Sequence, residues 1–257
     1  MMNWKRRTEI FLRSLFLQAC WNWERMQNFG FAFCVEPGLR RIYTGEALRE
    51  ARLRHLDTFN TQPYLAGMIA GVVLRMERVA ANGDGRVERI ETLKRALATA
   101  LAAIGDVCFW AKLRPLSVAA ALTVGSVVWV LGGAARGGFL AGAGVFLGLF
   151  NLPAVWIRWA GIRLGYENGE AVAAAIERMN CQRLIGRLQN AGRVATAVLA
   201  ALALAAWPLA AGRGWKEALA HGMIFAACLL LQAHPISVLR AYGALVAAGL
   251  FGALTLQ

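Results

Sequence analysis

Apolar and polar positions alternate at helical spacing in the first part of the chain. Between residues 8 and 33 the apolar side chains recur with the period of one helix face, which predicts an amphipathic helix lying in a membrane interface. Pro37-Gly38 interrupts this pattern, and a charged helix is predicted over residues 39–56, with its arginines facing water or phosphates. Residues 1–63 are therefore expected to form amphipathic helices that face the cytoplasm.

Two shorter apolar runs, residues 64–76 and 96–110, follow this region. Each is shorter than the roughly 20 residues that a helix needs to cross a bilayer. An Asn82-Gly83 turn signal separates them. Backbone that enters a membrane without crossing it must be surrounded by protein or line a cavity. Residues 64–115 are accordingly expected to form a re-entrant helical hairpin, and the alternative is a soluble helical hairpin resting on the membrane.

From residue 116 onwards the apolar runs approach the length that spans a membrane. The chain is therefore expected to be an all-α, polytopic membrane protein in which residues 116–257 form a transmembrane helical bundle. About five transmembrane helices are predicted, and they correspond to residues 116–131, 139–159, 194–211, 218–233 and 236–256.

Composition and charge support a membrane location. Hydrophobic residues make up 58% of the chain and charged residues only 17%, which is too apolar for an ordinary soluble domain. The net charge of +13 comes without a recognisable nucleic-acid module, so the basic residues indicate orientation and attraction to membrane lipids. Arginines are frequent in the connection near residues 158–193. This connection and the amino terminus are therefore expected in the cytoplasm, with Gln257 outside.

The sequence contains no motif for bond-making chemistry. Its five cysteines and three histidines have no metal-ligand spacing, and no catalytic triad, paired carboxylate motif or glycine-rich phosphate loop is present. We therefore expect no catalytic residue, cofactor or metal. Glycines are frequent between residues 132 and 148, which predicts close helix contacts, either within this chain or in an oligomer.

Two polar segments precede the apolar region: CWNWERMQ at residues 20–27 and HLDTFNTQP at residues 55–63. Amides and carboxylates close to membrane-length helices are costly unless they are paired or line a substrate path. These segments are therefore the first candidates for a functional site.

The order of these segments along the chain resembles one known family. The resemblance is carried by RSLFLQACWNWERMQ at residues 13–27, GFAF at 30–33, PGLRRIY at 37–43, FNTQP at 59–63 and GDVCFW at 105–110. The chain is similar here to the IID membrane subunit of the mannose/fructose/sorbose family of the bacterial sugar phosphotransferase system. It departs from the family at residues 99–104, where TALAAI replaces a run with proline and glycine and predicts a stiffer helix.

The resemblance implies a membrane subunit in the bacterial cytoplasmic (inner) membrane. With a IIC partner it would form the channel for a hexose, and a cytoplasmic IIAB phosphocarrier protein would phosphorylate the sugar. Phosphoryl transfer is thus expected on a partner and not on this chain. A higher homo-oligomer of the IIC/IID unit is also expected. The altered residues 99–104 motivate a second hypothesis, a non-transporting membrane regulator or scaffold with the same fold.

Five polar residues are predicted to bind the sugar: Asn22, Glu24, Asn60, Gln62 and Asp106. Amide and carboxylate groups can each contact two neighbouring sugar hydroxyls, and Trp21 or Trp23 could pack against the C–H face of the ring.

Each of these candidates also has a purely structural interpretation. Glu24 could pair with Arg25 in an ordinary ion pair. Asn60 could cap a helix that begins near Pro63, because asparagine is a favoured cap. Asp106 could brace the end of a helix, and the tryptophans could anchor the chain in the membrane interface.

Overall fold

The structure is a computed structural model that describes residues 2–83, 87–132 and 134–211. Its helices are α1 (Trp4–Ser14), α2 (Asn28–Leu39), α3 (Gly45–Arg54), α4 (Ala66–Ala81), α5 (Val87–Gly105), α6 (Arg114–Gly132), α7 (Ala135–Asn168), α8 (Val172–Arg178) and α9 (Cys181–Ala211). A π-helical segment (Asp106–Leu113) joins α5 to α6, and a 3-10 turn (Gly169–Ala171) joins α7 to α8.

The described residues form no β-strand, so the expected all-α class is confirmed for them. The nearest approach to β-structure is a pair of isolated bridges, between Asn22 and Met26 and between Met26 and Phe59. The chain divides into two compact units, residues 1–195 and 196–257. The first unit contains α1 to α8 and the beginning of α9, together with every contact discussed below. In the second unit, residues 196–211 form the end of α9.

The amino-terminal region differs from its prediction in where the helix breaks. The predicted helix over residues 8–33 is interrupted, because α1 ends at Ser14 and α2 begins only at Asn28. Conversely, α2 continues through Pro37, where a break was predicted. A proline inside a helix removes the N–H that would bind the carbonyl four residues earlier. Here that carbonyl belongs to Phe33, and Arg13 Nη1 donates to it at 3.3 Å.

Helix α4 is the buried centre of the first unit. Its residues from Ala66 to Leu74 are all buried, which explains why the run is apolar on every face. Gly67 and Gly71 lie against α7, and Gly161 and Gly165 of α7 lie against α4. A Cβ atom at Gly71 would lie 2.2 Å from the Ile162 carbonyl oxygen. The two α4 glycines therefore form a close helix contact, a role that the sequence analysis did not assign to them.

In the part of the chain that the structure describes, two stretches of helix are long and apolar enough to cross a membrane. They are Val87–Gly132 and Ala135–Arg178, and they contain the first two predicted spans. The first stretch is helical on both sides of residue 115, which was the predicted boundary between the hairpin and the spanning region. The third predicted span is helical as the end of α9, and the last two predicted spans lie outside the described residues.

The glycines of α6 and α7 fall into two groups: some contact the neighbouring helix, and others contact no described residue. Gly125 faces Gly138 and Gly142, and a Cβ atom at Gly138 would lie 2.5 Å from the Gly125 carbonyl oxygen. These glycines therefore serve packing inside the chain. A Cβ atom at Gly144 or Gly148 would meet no described atom within 4 Å. Contact with another subunit stays a prediction for these positions.

Candidate functional site

The two polar segments that the sequence analysis selected lie side by side. Gln27 links them, because its backbone N–H donates to the Phe59 carbonyl at 2.8 Å. Its side-chain amide forms two more hydrogen bonds with Thr61, one to the backbone N–H and one to the carbonyl, each 3.1 Å long. Gln27 and Thr61 are both buried. We call residues 20–28 and 55–63 the paired segments.

Asn22 lies within this hydrogen-bonded framework. Its Nδ2 donates to Asn28 Oδ1 at 3.1 Å, and Asn28 Nδ2 donates in turn to the Leu56 carbonyl at 2.7 Å. Asn22 Oδ1 accepts a hydrogen bond from the Arg25 backbone N–H at 2.7 Å. Both ends of the Asn22 amide therefore have partners within the chain. The sequence analysis did not select Gln27, Asn28 or Thr61, although Gln27 carries an amide in the motif of residues 20–27 and Asn28 directly follows it.

Glu24 is on the surface, with 81% of its side chain exposed. Its carboxylate lies 3.5 Å from Arg25 Nε, so the ion pair considered as the alternative is present. Such an exposed pair contributes little to stability. Trp21 and Trp23 pack edge to face on the same turn, with their ring centroids 4.8 Å apart, and Trp23 is 85% exposed. The turn therefore presents apolar rings and a carboxylate outward.

Asn60 is exposed and makes no side-chain hydrogen bond within the part of the chain that the structure describes. Helix α4 begins at Ala66, and its cap position is Leu65. The alternative that Asn60 caps this helix is therefore wrong, because Asn60 lies too far before the first turn. Its amide is free to contact a ligand or a partner.

Gln62 and Asp106 are in direct contact. Gln62 Nε2 donates to Asp106 Oδ1 at 3.1 Å, and Gln62 Oε1 accepts from the Tyr64 backbone N–H at 3.3 Å. Gln62 is only 1% exposed, whereas Asp106 is exposed. Gly105 makes this contact possible, because a Cβ atom there would lie 2.3 Å from Gln62 Cγ. The glycine-aspartate pair thus brings a surface carboxylate next to a buried amide.

Asp106 is the first residue of the π-helical segment, a geometry that is rare and often found at functional sites. Four rings from this segment and from neighbouring elements form an aromatic cluster: Tyr64, Phe109, Trp110 and Phe150. The Tyr64 and Phe109 centroids are 4.7 Å apart, and those of Tyr64 and Trp110 are 5.9 Å apart. Trp110 is 40% exposed. A carboxylate and an accessible indole face therefore belong to the same segment.

Arg158 extends this region towards α1. It is buried, its guanidinium lies 5.4 Å from the centroid of the Tyr64 ring, and it donates hydrogen bonds to the Ser14 carbonyl and hydroxyl oxygens. The sequence analysis placed Arg158 in the cytoplasmic connection. It lies on helix α7, which continues into this connection, and it contacts residues on other elements, so its charge has partners inside the protein.

A buried charged cluster, which the sequence analysis did not predict, joins the turn after α2 to α3, α4 and α5. It consists of Tyr43, Arg54, His55, Glu77 and Lys94. Arg54 donates to both Glu77 oxygens, at 2.8 and 2.6 Å, and Tyr43 Oη donates to Glu77 Oε2 at 2.9 Å. The arginines of α3 were expected to face water or phosphates, which is wrong for Arg54. Glu77 comes directly after the apolar run of residues 64–76, and a carboxylate in this position was the signal that could have revealed this cluster.

The environment of the cluster determines the charges within it. Burial alone would raise the pKa of Glu77, but the hydrogen bonds from Arg54 and His55 lower it to about 2. Burial lowers the pKa of His55 below its ordinary value, against the opposing effect of Glu77. His55 is therefore neutral and donates its Nε2–H to Glu77 Oε1 at 2.8 Å. The ion pair in this cluster is Arg54 with Glu77.

Within the described ranges, no group of three or more His, Cys, Asp or Glu residues could hold a metal ion. Of the cysteines in those ranges, Cys34 is buried and Cys20 is exposed, and all are free thiols.

The fold and these sites define a helical membrane protein. Its described residues include two apolar helices of membrane-spanning length. The contact between Gln62 and Asp106 lies at the start of the π-helical segment, beside the aromatic cluster. The sequence model of the PTS system mannose/fructose/sorbose family IID component matches residues 2–208. The chain belongs to this family. Family membership and the apolar helices place it in a bacterial inner membrane.

Individual relatives agree with this assignment. The mannose-specific EIID component of Escherichia coli K12 is 42% identical over 166 residues, which are 62% of this chain and 54% of that protein. The fructose permease IID component of Bacillus subtilis is 32% identical over 177 residues, 68% of this chain and 61% of that protein. The chain thus matches between half and two thirds of the length of these relatives.

Two solved structures have a similar fold. One is a chain in the cryoEM structure of the mannose transporter ManYZ with microcin E492, with a TM-score of 0.58 and 33% identity, covering 78% of this chain and 70% of that one. The other is described as a membrane protein, with a TM-score of 0.71 and 27% identity, covering 98% of this chain and 97% of that one.

Proposed function

We propose that this chain is the membrane subunit of a phosphotransferase-system sugar transporter. With a IIC partner it forms the channel for hexose uptake, and a cytoplasmic IIAB protein phosphorylates the sugar. This chain therefore needs no catalytic residue, cofactor or metal of its own. Support comes from the family match over residues 2–208 and from the likeness to a chain of a mannose transporter complex.

The proposal includes an arrangement in the membrane. The chain crosses the bilayer about five times, with the amino terminus and residues 158–193 in the cytoplasm and Gln257 outside. Helices α4 and α5 form a re-entrant hairpin. The burial of α4 supports this, because backbone at membrane depth that does not cross must be surrounded by protein. The IIC/IID units assemble into a higher homo-oligomer.

The main observation that supports a sugar site here is the contact between Gln62 and Asp106. Asp106 uses one carboxylate oxygen to accept from Gln62, which leaves acceptor capacity for sugar hydroxyls. Trp110, one helical turn further along the π segment, offers an exposed ring face of the kind that packs on sugar C–H groups. Asn60 lies two residues before Gln62 and adds a free amide.

Asn22 and Glu24 complete the proposed site from the other paired segment. Asn22 is engaged with Asn28, so its role is to hold the turn in position. Glu24 is exposed, and its weak pair with Arg25 can be exchanged for a sugar hydroxyl at little cost.

The test is sugar uptake by the Asn60→Ala variant expressed with its IIC partner. Removing one or two hydrogen bonds should weaken sugar affinity by roughly 1 to 3 kcal/mol, about 5-fold to 150-fold. The complex should stay intact, because the Asn60 side chain makes no hydrogen bond within the described residues. Uptake of labelled mannose, fructose and sorbose, together with co-purification of the two subunits, measures both effects.

Thr58→Ala is the matched control, because Thr58 is exposed on the same segment. It should transport like the parent. If Asn60→Ala is as abundant in the membrane as the parent and takes up sugar at the same rate, Asn60 does not bind the sugar. An assembled complex that transports none of these sugars, even as the parent chain, would favour the regulator or scaffold hypothesis motivated by residues 99–104.

A further inference from the structure

A cavity of about 440 Å³ lies at the far end of α4 from the Gln62–Asp106 contact. We call it the basic cavity. Its polar lining consists of Asn3, Arg6, Arg41, Arg78, Asn82 and Tyr166, contributed by the start of α1, the residues after α2, the end of α4 and the end of α7. The α4 residues that line the cavity begin at Leu74, roughly 12 Å of helix beyond Ala66, and Gln62 and Asp106 are not among its lining residues. The basic cavity is therefore not part of the proposed sugar site.

The charge of the basic cavity is one-sided. Three arginines line it, and no aspartate or glutamate is among its lining residues. Arg6 and Arg41 form no ion pair in the described part of the chain. Arg78 Nη1 donates to the neutral Tyr166 hydroxyl at 3.1 Å and so is not neutralised by it. Positive charge gathered in a concave site attracts anions.

Arg6 supplies a second, independent observation. Its Nε atom is shielded from solvent and has no hydrogen-bond partner among the described residues. A buried N–H without an acceptor costs free energy. Arg6 lines the cavity, so a small rotation of its side chain towards a bound phosphate would let Nε donate to a phosphate oxygen and remove this cost.

We propose that the basic cavity binds a phosphate group, held by the guanidinium groups of Arg6, Arg41 and Arg78. Phosphate oxygens match the forked N–H geometry of arginine, and the amides of Asn3 and Asn82 add donors for a monoester or diester. The volume suits a small phosphate-bearing molecule. The phosphate can belong to a soluble compound or to a phospholipid headgroup. This proposal depends on the cavity alone and not on the transport function.

Titration calorimetry with inorganic phosphate tests the proposal. The protein, with any subunit that co-purifies, is measured first in a maltoside detergent, which contains no phosphate, and then in nanodiscs of phosphatidylcholine. Arg78→Gln should weaken phosphate binding at least about tenfold, since it removes a charge-assisted donor. Arg41→Gln should do the same, and because its side chain is exposed this variant should fold normally. Arg75→Gln is the matched control, because Arg75 is an exposed arginine of α4 that does not line the cavity.

A second measurement distinguishes the two sources of the phosphate. Nanodiscs that also contain phosphatidylglycerol should leave phosphate affinity unchanged if the natural ligand is soluble. If the ligand is a lipid, phosphatidylglycerol should abolish phosphate binding and remain bound to the parent protein, but not to Arg78→Gln, in native mass spectrometry. The proposal is overturned if the parent binds neither phosphate nor phosphatidylglycerol. It is also overturned if Arg75→Gln weakens binding as much as Arg78→Gln.

Discussion

At the scale of single residues, the buried charged cluster shows how a polar group is tolerated inside an apolar unit. Glu77 lies on the most buried helix of the fold, and an unpaired carboxylate there would be very costly. Arg54 supplies the opposite charge, while Tyr43 and neutral His55 supply hydrogen bonds. The positive charges of Arg54 and Lys94 around His55 further oppose its protonation.

This arrangement predicts that the protein loses stability in mild acid. The folded state keeps His55 neutral, whereas the unfolded state binds a proton near the ordinary histidine pKa of about 6.5. The unfolded state therefore holds more protons below this pH, and the unfolding free energy falls as the pH decreases from about 7 to 5. Unfolding midpoints followed by tryptophan fluorescence across this range measure the effect.

His55→Gln is the variant that isolates this contribution. Its amide can still donate to Glu77, but it does not titrate. The variant should therefore unfold with a flatter pH dependence between about pH 7 and 5 than the parent. Equal slopes for the two proteins would show that another group is responsible.

At the scale of secondary-structure elements, α4 and α7 are held together by reciprocal glycines. A Cβ atom at Gly165 would lie 2.0 Å from the Met68 carbonyl oxygen, and one at Gly71 would lie 2.2 Å from the Ile162 carbonyl oxygen. Both clashes are with backbone, which cannot move aside without separating the helices. Close contact of this kind is how helices associate where lipid removes the hydrophobic driving force.

We predict that Gly165→Ala destabilises the protein by about 1 to 3 kcal/mol, because the added methyl group overpacks the contact between α4 and α7. Gly144→Ala, on the same helix, is the control, since a Cβ atom there meets no described atom within 4 Å. It should leave stability unchanged or raise it by up to about 1 kcal/mol, because alanine favours helix. Thermal unfolding in detergent compares the two, and similar midpoints would argue against this contact.

At the scale of the whole molecule, the proposed orientation depends on the distribution of basic residues. Arg178 is the last residue of the second apolar stretch, Arg183 and Arg187 follow it, and all three are exposed. Cationic connections are retained on the cytoplasmic side of bacterial membranes. The same orientation places the basic cavity beside the cytoplasm, because Tyr166 lies near the end of α7 that leads into this connection.

Cysteine labelling in intact cells is expected to show this orientation directly. In a chain whose native cysteines are replaced by serine, Arg178→Cys should react with an impermeant maleimide only after the membrane is opened. Gln257→Cys should react in intact cells, because about five crossings from a cytoplasmic start end outside. Labelling of Arg178→Cys from outside would reverse the proposed topology, and protection of Gln257→Cys would change the number of crossings.

The sequence alone determined the helical class, the first two apolar spans and the family, because each depends on local periodicity, composition or motif order. It also drew attention to residues 20–27, residues 55–63 and Gly105-Asp106, and whether these bind sugar stays a prediction. Only the tertiary structure decided which polar groups meet: Gln62 with Asp106, Asn22 with Asn28, and Arg54 with Glu77. These partners are between 6 and 44 positions apart in the chain. Hydrophobic periodicity shows which helix face is buried, but the partner of a buried charge depends on how helices pack, and helix packing is decided by contacts between residues distant in sequence.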